Sequence, residues 1–333
     1  MKKRLRIFLF RCFMFSALVF LFSSKSFSQH VMFATGQTKW EAGVTIGPSF
    51  FLGDLGGNAG RGTRFIKDVN LEFTHVIKGV FVAVYPNDWL GFRFTAQTGY
   101  LKAEDDIITP HGGLELFRLQ RNLDFRSTLQ EAYVVAEIFP FMFLKRNDED
   151  YAPRLRPYGV IGVGMFHFNP QGSLTDAYGN KTWYYLKPLR TEGQGMAEYP
   201  KRKEYSLTQP NIPIGGGLKY FISERMNISF EVLTRKSFTD YVDDLSTDYI
   251  NPEMFDKYLS PANAAIARNI HDKTYGTVMP GAARYAPGDQ RGNPKQNDSY
   301  FSLLMKFGVR IGTIYENSFQ RKQRSITRCP ARF

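Results

Sequence analysis

Cysteine is nearly absent from this 333-residue chain, which has only Cys12 and Cys329. Cys12 lies in an N-terminal segment that reads as removable, so no intramolecular disulfide can hold the mature fold, and backbone pairing and packing must do so. Long apolar runs are missing too. Beyond Phe22 no stretch approaches the roughly 20 uninterrupted apolar residues of a spanning helix, which excludes a second transmembrane helix. The mean hydropathy of −0.31 does not exclude a membrane protein, because a barrel shows lipid only alternate residues.

A concentrated basic surface is also lacking, although the formal charge is +12. Residues 1–28 carry six cations and no acid, residues 315–333 add a net four, and the body between them keeps only +2. That distribution argues against nucleic acid as a partner. Catalytic signatures are equally scarce. None of the five histidines forms an HExxH helix or an H-x-E with paired cysteines, and there is no G-x-S-x-G elbow or phosphate-binding loop. Asp105 and Asp106 with His111, or Asp243 and Asp244 with His271, are the acid–base sets to weigh, but neither spacing supplies a nucleophile. No catalytic, cofactor-binding or metal-ligating residue is therefore assigned, and a non-enzymatic protein is expected.

What is present begins with "MKKRLRIFLFRCFMFSALVFLFSSKSFSQ", a basic start, an apolar run from Cys12 to Phe22 and small residues Ser26 and Ser28. The order is that of a secretory signal peptide over residues 1–28; an uncleaved anchor is the alternative, and the run is short for one.

Farther on, alternation dominates. In "YFSLLMKFGVRI" Phe301, Leu303, Met305, Phe307, Val309 and Ile311 fall on one face of a strand, with Lys306 and Arg310 on the other. A soluble sandwich would bury the apolar face; a transmembrane barrel would turn it to outer-membrane lipid and the charges inward. Similar alternation starts at Trp40, Leu90, Glu131 and Asn227, and residues 78–85, 156–166 and 212–222 also read as strands. About eight strands result.

The gaps between them decide the matter. Long polar gaps at about 48–77, 102–126, 168–211 and 237–299 alternate with shorter ones at 86–89, 145–154 and 223–225. Outer-membrane barrels sort their connections in this way, with both termini on the periplasmic side. The expectation is an all-β, up-and-down antiparallel barrel over residues 29–314, followed by a basic periplasmic tail at 315–333. Short helices are expected in the last long loop, near Pro252 and Pro261. Arg93, Glu131, Glu137, Lys219, Glu231, Arg235, Lys306 and Arg310 then form an interior polar network, filling a lumen too narrow for a wide channel. Aromatic residues gather at both expected membrane interfaces, with Phe166, Phe168, Tyr100 and Phe238 at the outer one.

Several segments carry a resemblance. "PSFFLGDLGG" at 48–57, "YPNDWLGFR" at 85–93, "RNLDFRSTLQE" at 121–131, "FHFNPQG" at 166–172, "FTDYVDDLSTDY" at 238–249 and "QRGNP" at 290–294 with "NDSYF" at 297–301 stand in this order. From Trp40 to Ile311 the chain resembles the PorG-like outer-membrane barrel family. The resemblance implies an integral protein of a Gram-negative outer membrane and, as for the best-characterised relatives, a part in type IX secretion beside a periplasmic lipoprotein ring. The basic tail falls outside the motif pattern. Two functional expectations stand: an anchor or assembly component of a type IX secretion complex, or a barrel whose extracellular loops bind a ligand or surface molecule.

Overall fold

The computed structural model describes residues 38–55, 75–106, 115–142, 153–274 and 284–311, with Glu115 to Phe117 as backbone only. The expected signal peptide, the expected basic tail, His111 and the turn expected around Asp148 lie outside the described residues.

Among the described residues nine strands form one antiparallel sheet: β1 (Lys39–Leu52), β2 (His75–Tyr85), β3 (Leu90–Glu104), β4 (Asp124–Ile138), β5 (Leu155–Thr175), β6 (Lys181–Tyr185), β7 (Thr208–Phe221), β8 (Met226–Ser237) and β9 (Ser299–Ile311). Eight of them close on themselves, because β4 pairs with β5 and the order β4-β3-β2-β1-β9-β8-β7-β5 returns to its start. Every expected strand is present. The gap at 168–211 is not wholly loop, however: β5 continues to Thr175 and folds back through β6, with Gln171 opposite Tyr185.

Closure fixes the tilt. Following directly paired residues from Pro157 through Leu218, Phe230, Met305, Ile46, Lys78, Thr98 and Gln130 returns to β5 at His167, ten residues farther along the strand. A ten-residue stagger over eight strands sets the strands about 40° from the barrel axis. Each residue then climbs about 2.5 Å, and each step along a paired row from β9 toward β4 climbs about 3 Å. Depth can thus be read from register.

The two faces differ as the alternation requires. Trp40, Val44, Phe94, Val134, Val163, Ile214, Phe230 and Met305 are exposed on the outer wall, while Glu41, Arg93, Glu131, Glu137, Lys219 and Glu231 are buried inside. The apolar exterior extends over about 25 Å from Trp40 to Tyr100, the height of an outer-membrane barrel's lipid band. Among the described residues no helix is long and apolar enough to cross a membrane.

Above the barrel the long connections fold into a cap. Helices α1 (Glu115–Arg121), α2 (Glu253–Tyr258) and α3 (Pro261–His271) belong to it. Helix α3 starts at Pro261, whose fixed φ suits the first helical position, and the Ser260 side chain accepts a hydrogen bond from the Asn263 amide at 3.4 Å. Leu186, Leu189, Met196, Ile250, Phe255, Ala264, Ala267 and Ile270 give the cap its own apolar core. Tyr205, Val242 and Leu245 join the barrel's interior cluster with Phe166 and Phe168, so cap and lumen pack continuously at the mouth.

Candidate functional site: a charge-balanced lumen under a closed cap

Among the described residues the lumen holds four buried cations, Arg93, Lys219, Arg235 and Lys306, and four buried carboxylates, Glu41, Glu131, Glu137 and Glu231. Strand alternation turns all eight inward, and register brings them to neighbouring depths. Arg93 is the hub. Its Nε donates to Glu137 at 2.6 Å, and its Nη2 donates to both oxygens of Glu231 at 2.9 and 2.8 Å. Lys306 reaches the same two carboxylates, at 3.2 Å to Glu137 and 2.7 Å to Glu231. Lys219 bridges Glu41 at 3.2 Å and Glu137 at 3.3 Å. Higher up, Glu131 accepts from Arg235 at 3.3 Å, from Asn211 at 2.7 Å and from the Tyr300 hydroxyl at 3.0 Å.

Seven of the eight expected network residues meet in this way. Arg310 does not. It lies near the rim, half-exposed over the Phe221 ring at 4.4 Å and donating to the Glu224 carbonyl at 3.5 Å. Parity turns it inward, but its depth places it at the short turn below the other charges.

Alternation alone leaves several members unassigned. Glu41, between Trp40 and Ala42, has the inward parity yet is not singled out. Tyr85 donates to Glu137 at 2.7 Å, and Tyr158 donates to Glu231 at 2.8 Å. These rings need glycine opposite them: a Cβ on Gly91 would lie 2.3 Å from Tyr85, and one on Gly217 would lie 2.8 Å from the Tyr158 hydroxyl. A side chain at either position would push a phenol out of the network.

On the outer wall Met305, Phe307, Val309 and Ile311 are exposed, and Leu303 is half-exposed. Phe301 differs from its expectation: although its parity is outward, it is buried and stacks on Phe50 with ring centres 4.8 Å apart. Phe166 and Phe168 also depart from the expected outer girdle. They point into the lumen, where Phe166 meets Tyr300 and Phe168 stacks on Tyr205. Trp40, Tyr100 and Phe238 remain exposed at the two ends of the wall.

The cap's acids make structural bonds. Asp105 receives Arg121 at 2.8 and 3.0 Å, while Glu192 accepts from Arg291 at 3.0 Å and the Thr247 amide at 2.9 Å. Asp243 accepts from the Leu55 amide at 3.3 Å, and Asp298 accepts from that of Val242 at 2.8 Å. Burial first, then neighbouring carboxylates, hold Asp243 and Asp298 well above the usual range. Burial likewise pushes Asp240 up to about 8 and Asp244 to about 6. The raised values favour the protonated form of Asp240, Asp243 and Asp298, which lowers the charge beneath the cap. His271 is pulled down to about 3 by burial, and its Nδ1 lies 2.7 Å from the Thr191 carbonyl. Asp244 and His271 therefore meet Thr191 from different sides, with Asp244 also accepting from the Tyr205 hydroxyl at 2.7 Å. Among the described residues no group of three or more histidine, cysteine, aspartate or glutamate side chains is arranged to hold a metal ion.

A closed eight-stranded antiparallel barrel with an apolar exterior and a charged, filled interior is a fold of the outer-membrane type. No protein-family model matches the chain, and no curated protein sequence matches it. Solved structures of outer-membrane proteins are similar to the chain over most of its length at low identity. A major outer membrane protein from Thermus thermophilus is 11% identical with a TM-score of 0.37, covering 83% of this chain and 100% of its own. E. coli outer membrane protein W is 12% identical with a TM-score of 0.31, covering 84% and 100%. The Ail protein of Yersinia pestis, solved with the heparin analogue sucrose octasulfate, is 7% identical with a TM-score of 0.32, covering 82% and 97%.

A filled lumen beneath a packed cap has a direct electrical consequence. Reconstituted protein is expected to show no steady ion conductance in planar bilayers, since side chains occupy the space that water would need. Large reproducible channels abolished by Arg93→Gln would overturn that reading.

Proposed function

We propose that this protein is a non-enzymatic anchor or assembly component of a type IX secretion complex in a Gram-negative outer membrane, with both termini periplasmic and a periplasmic lipoprotein ring as its partner. The observation carrying the non-channel, non-enzymatic half is the charge-balanced lumen, whose carboxylates are bonded to cations and phenols. The secretion half rests on the motif resemblance from Trp40 to Ile311. Short turns leave a compact surface for a ring: Asn87 accepts from the Leu90 amide at 2.9 Å, and Lys39 ties the same turn through Asp88 at 2.7 Å.

The test is gene deletion with measurement of protein secretion, together with co-isolation of the tagged barrel from detergent extracts. Lost secretion and a ring lipoprotein retained by wild type, but released by changes at Asn87 and Glu224 in a folded barrel, support the proposal. Normal secretion after deletion overturns it. A ligand-binding reading has one observation in its favour: the cap carries a cavity of about 570 Å³ lined by Lys201, Lys203, Tyr205, Tyr241 and Ser246 among others. Unimpaired secretion with loop-dependent ligand capture would select that reading.

A further inference from the structure

The outer wall carries a cation where a lipid-facing surface should have none. Lys78 is exposed on β2, opposite Ile46 on one side and Thr98 on the other. The barrel's tilt puts its backbone about 8 Å below Tyr100 and about 18 Å above Trp40, inside the apolar band. An unpaired ammonium is costly at that depth, so an intramembrane cation calls for a named partner. None is supplied by the described residues. Lys78 makes no hydrogen bond or ion pair among them, and the same holds for the side chains of its row neighbours Thr98 and Gln130.

These three side chains are consecutive in register, Lys78 opposite Thr98 and Thr98 opposite Gln130, all facing outward. Directly opposed side chains start about 5 Å apart, close enough for three donors to converge on one small anion. Their row climbs toward the interface, with Gln130 about level with Tyr100. One pleat lower runs an apolar row, Val44, Val80, Ala96, Ala132 and Met165, also paired strand to strand. The two adjacent alanines make a dip between larger neighbours, within a shallow groove of about 920 Å³ that Lys78, Thr98 and Gln130 also line.

We propose that this groove holds a phosphate-bearing lipid of the leaflet nearest the long loops. Lys78 pairs with the head-group phosphate, Thr98 and Gln130 donate hydrogen bonds to it, and an acyl chain lies over Ala96 and Ala132. Lysine suits the depth because its flexible stem lies along apolar surface while its ammonium rises to the interface. A protein partner presenting a carboxylate would need a second element beside the wall, whereas the lipid phosphate is already at the height the side chain reaches.

The test uses the full mature chain refolded in phosphatidylcholine vesicles containing either spin-labelled phosphatidic acid or spin-labelled phosphatidylcholine. Electron spin resonance measures the fraction of each label immobilised at the barrel wall. Wild type is expected to prefer phosphatidic acid by about fivefold, the scale of one lysine near an anionic head group. Lys78→Gln should abolish the preference, and Lys78→Arg should keep it. Heat-modifiable mobility confirms that each variant folds. Equal preference in wild type and Lys78→Gln, or carbodiimide coupling of Lys78 to another protein in native membranes, overturns the proposal.

Discussion

Glu137→Ala is expected to cost the barrel about 3 to 5 kcal/mol, the scale for removing one partner from a buried ion pair. Glu137 receives Arg93, Lys219, Lys306 and the Tyr85 hydroxyl, so its loss leaves three cations sharing the remaining carboxylates and an interior with net positive charge. The lumen is packed, and a replacement hydration shell has little room. The penalty follows from charge imbalance more than from lost volume. Glu137→Gln, which preserves shape, should therefore be nearly as damaging, while Glu137→Gln combined with Lys306→Met should regain much of the stability by restoring neutrality. Urea titration of refolded protein in lipid vesicles, followed by the heat-modifiable gel shift, measures all three. A single variant as stable as wild type, or a double variant that loses as much as the separate losses combined, would show that the charges do not act as a network.

The eightfold strand pattern and the inward position of most charges were legible because alternation with a period of two converts directly into faces. Met305 and Lys306 illustrate this: adjacent in sequence, one is exposed on the wall and the other buried in the lumen. Depth was not legible, because it depends on register and tilt accumulated around the closed sheet. Arg310 and Lys306 have the same parity, yet only Lys306 is deep enough to reach Glu137 and Glu231. Phe166 and Phe168 show the converse: grouping aromatics by loop proximity hid an inward parity that counting from Met165 reveals. The carboxylates under the cap were hidden for another reason. Asp54, Asp243 and Asp298 come from three distant segments and meet only after the loops fold.

Met305→Arg is expected to destabilise the barrel by about 2 to 4 kcal/mol, the range for a cation at the lipid midplane. Register places Met305 about 12 Å above Trp40 and about 14 Å below Tyr100, near the middle of the apolar band. Its side chain is exposed at 44%, so arginine fits the protein sterically and the cost comes from the surroundings. Depth supplies the internal control. Val309, four residues along the same outward face, is exposed at 48% and lies near the level of Trp40. Val309→Arg should cost only about 0 to 1 kcal/mol, because its guanidinium reaches the head groups. Lys306→Gln is a poorer control than the alternation suggests, since Lys306 holds Glu137 and Glu231 together and its loss disturbs the lumen. Urea midpoints in vesicles, with Met305→Leu as the size control, test the pair. Equal costs for Met305→Arg and Val309→Arg would count against this face lying in lipid, whereas a loss confined to Met305→Arg fixes both the orientation of β9 and its depth.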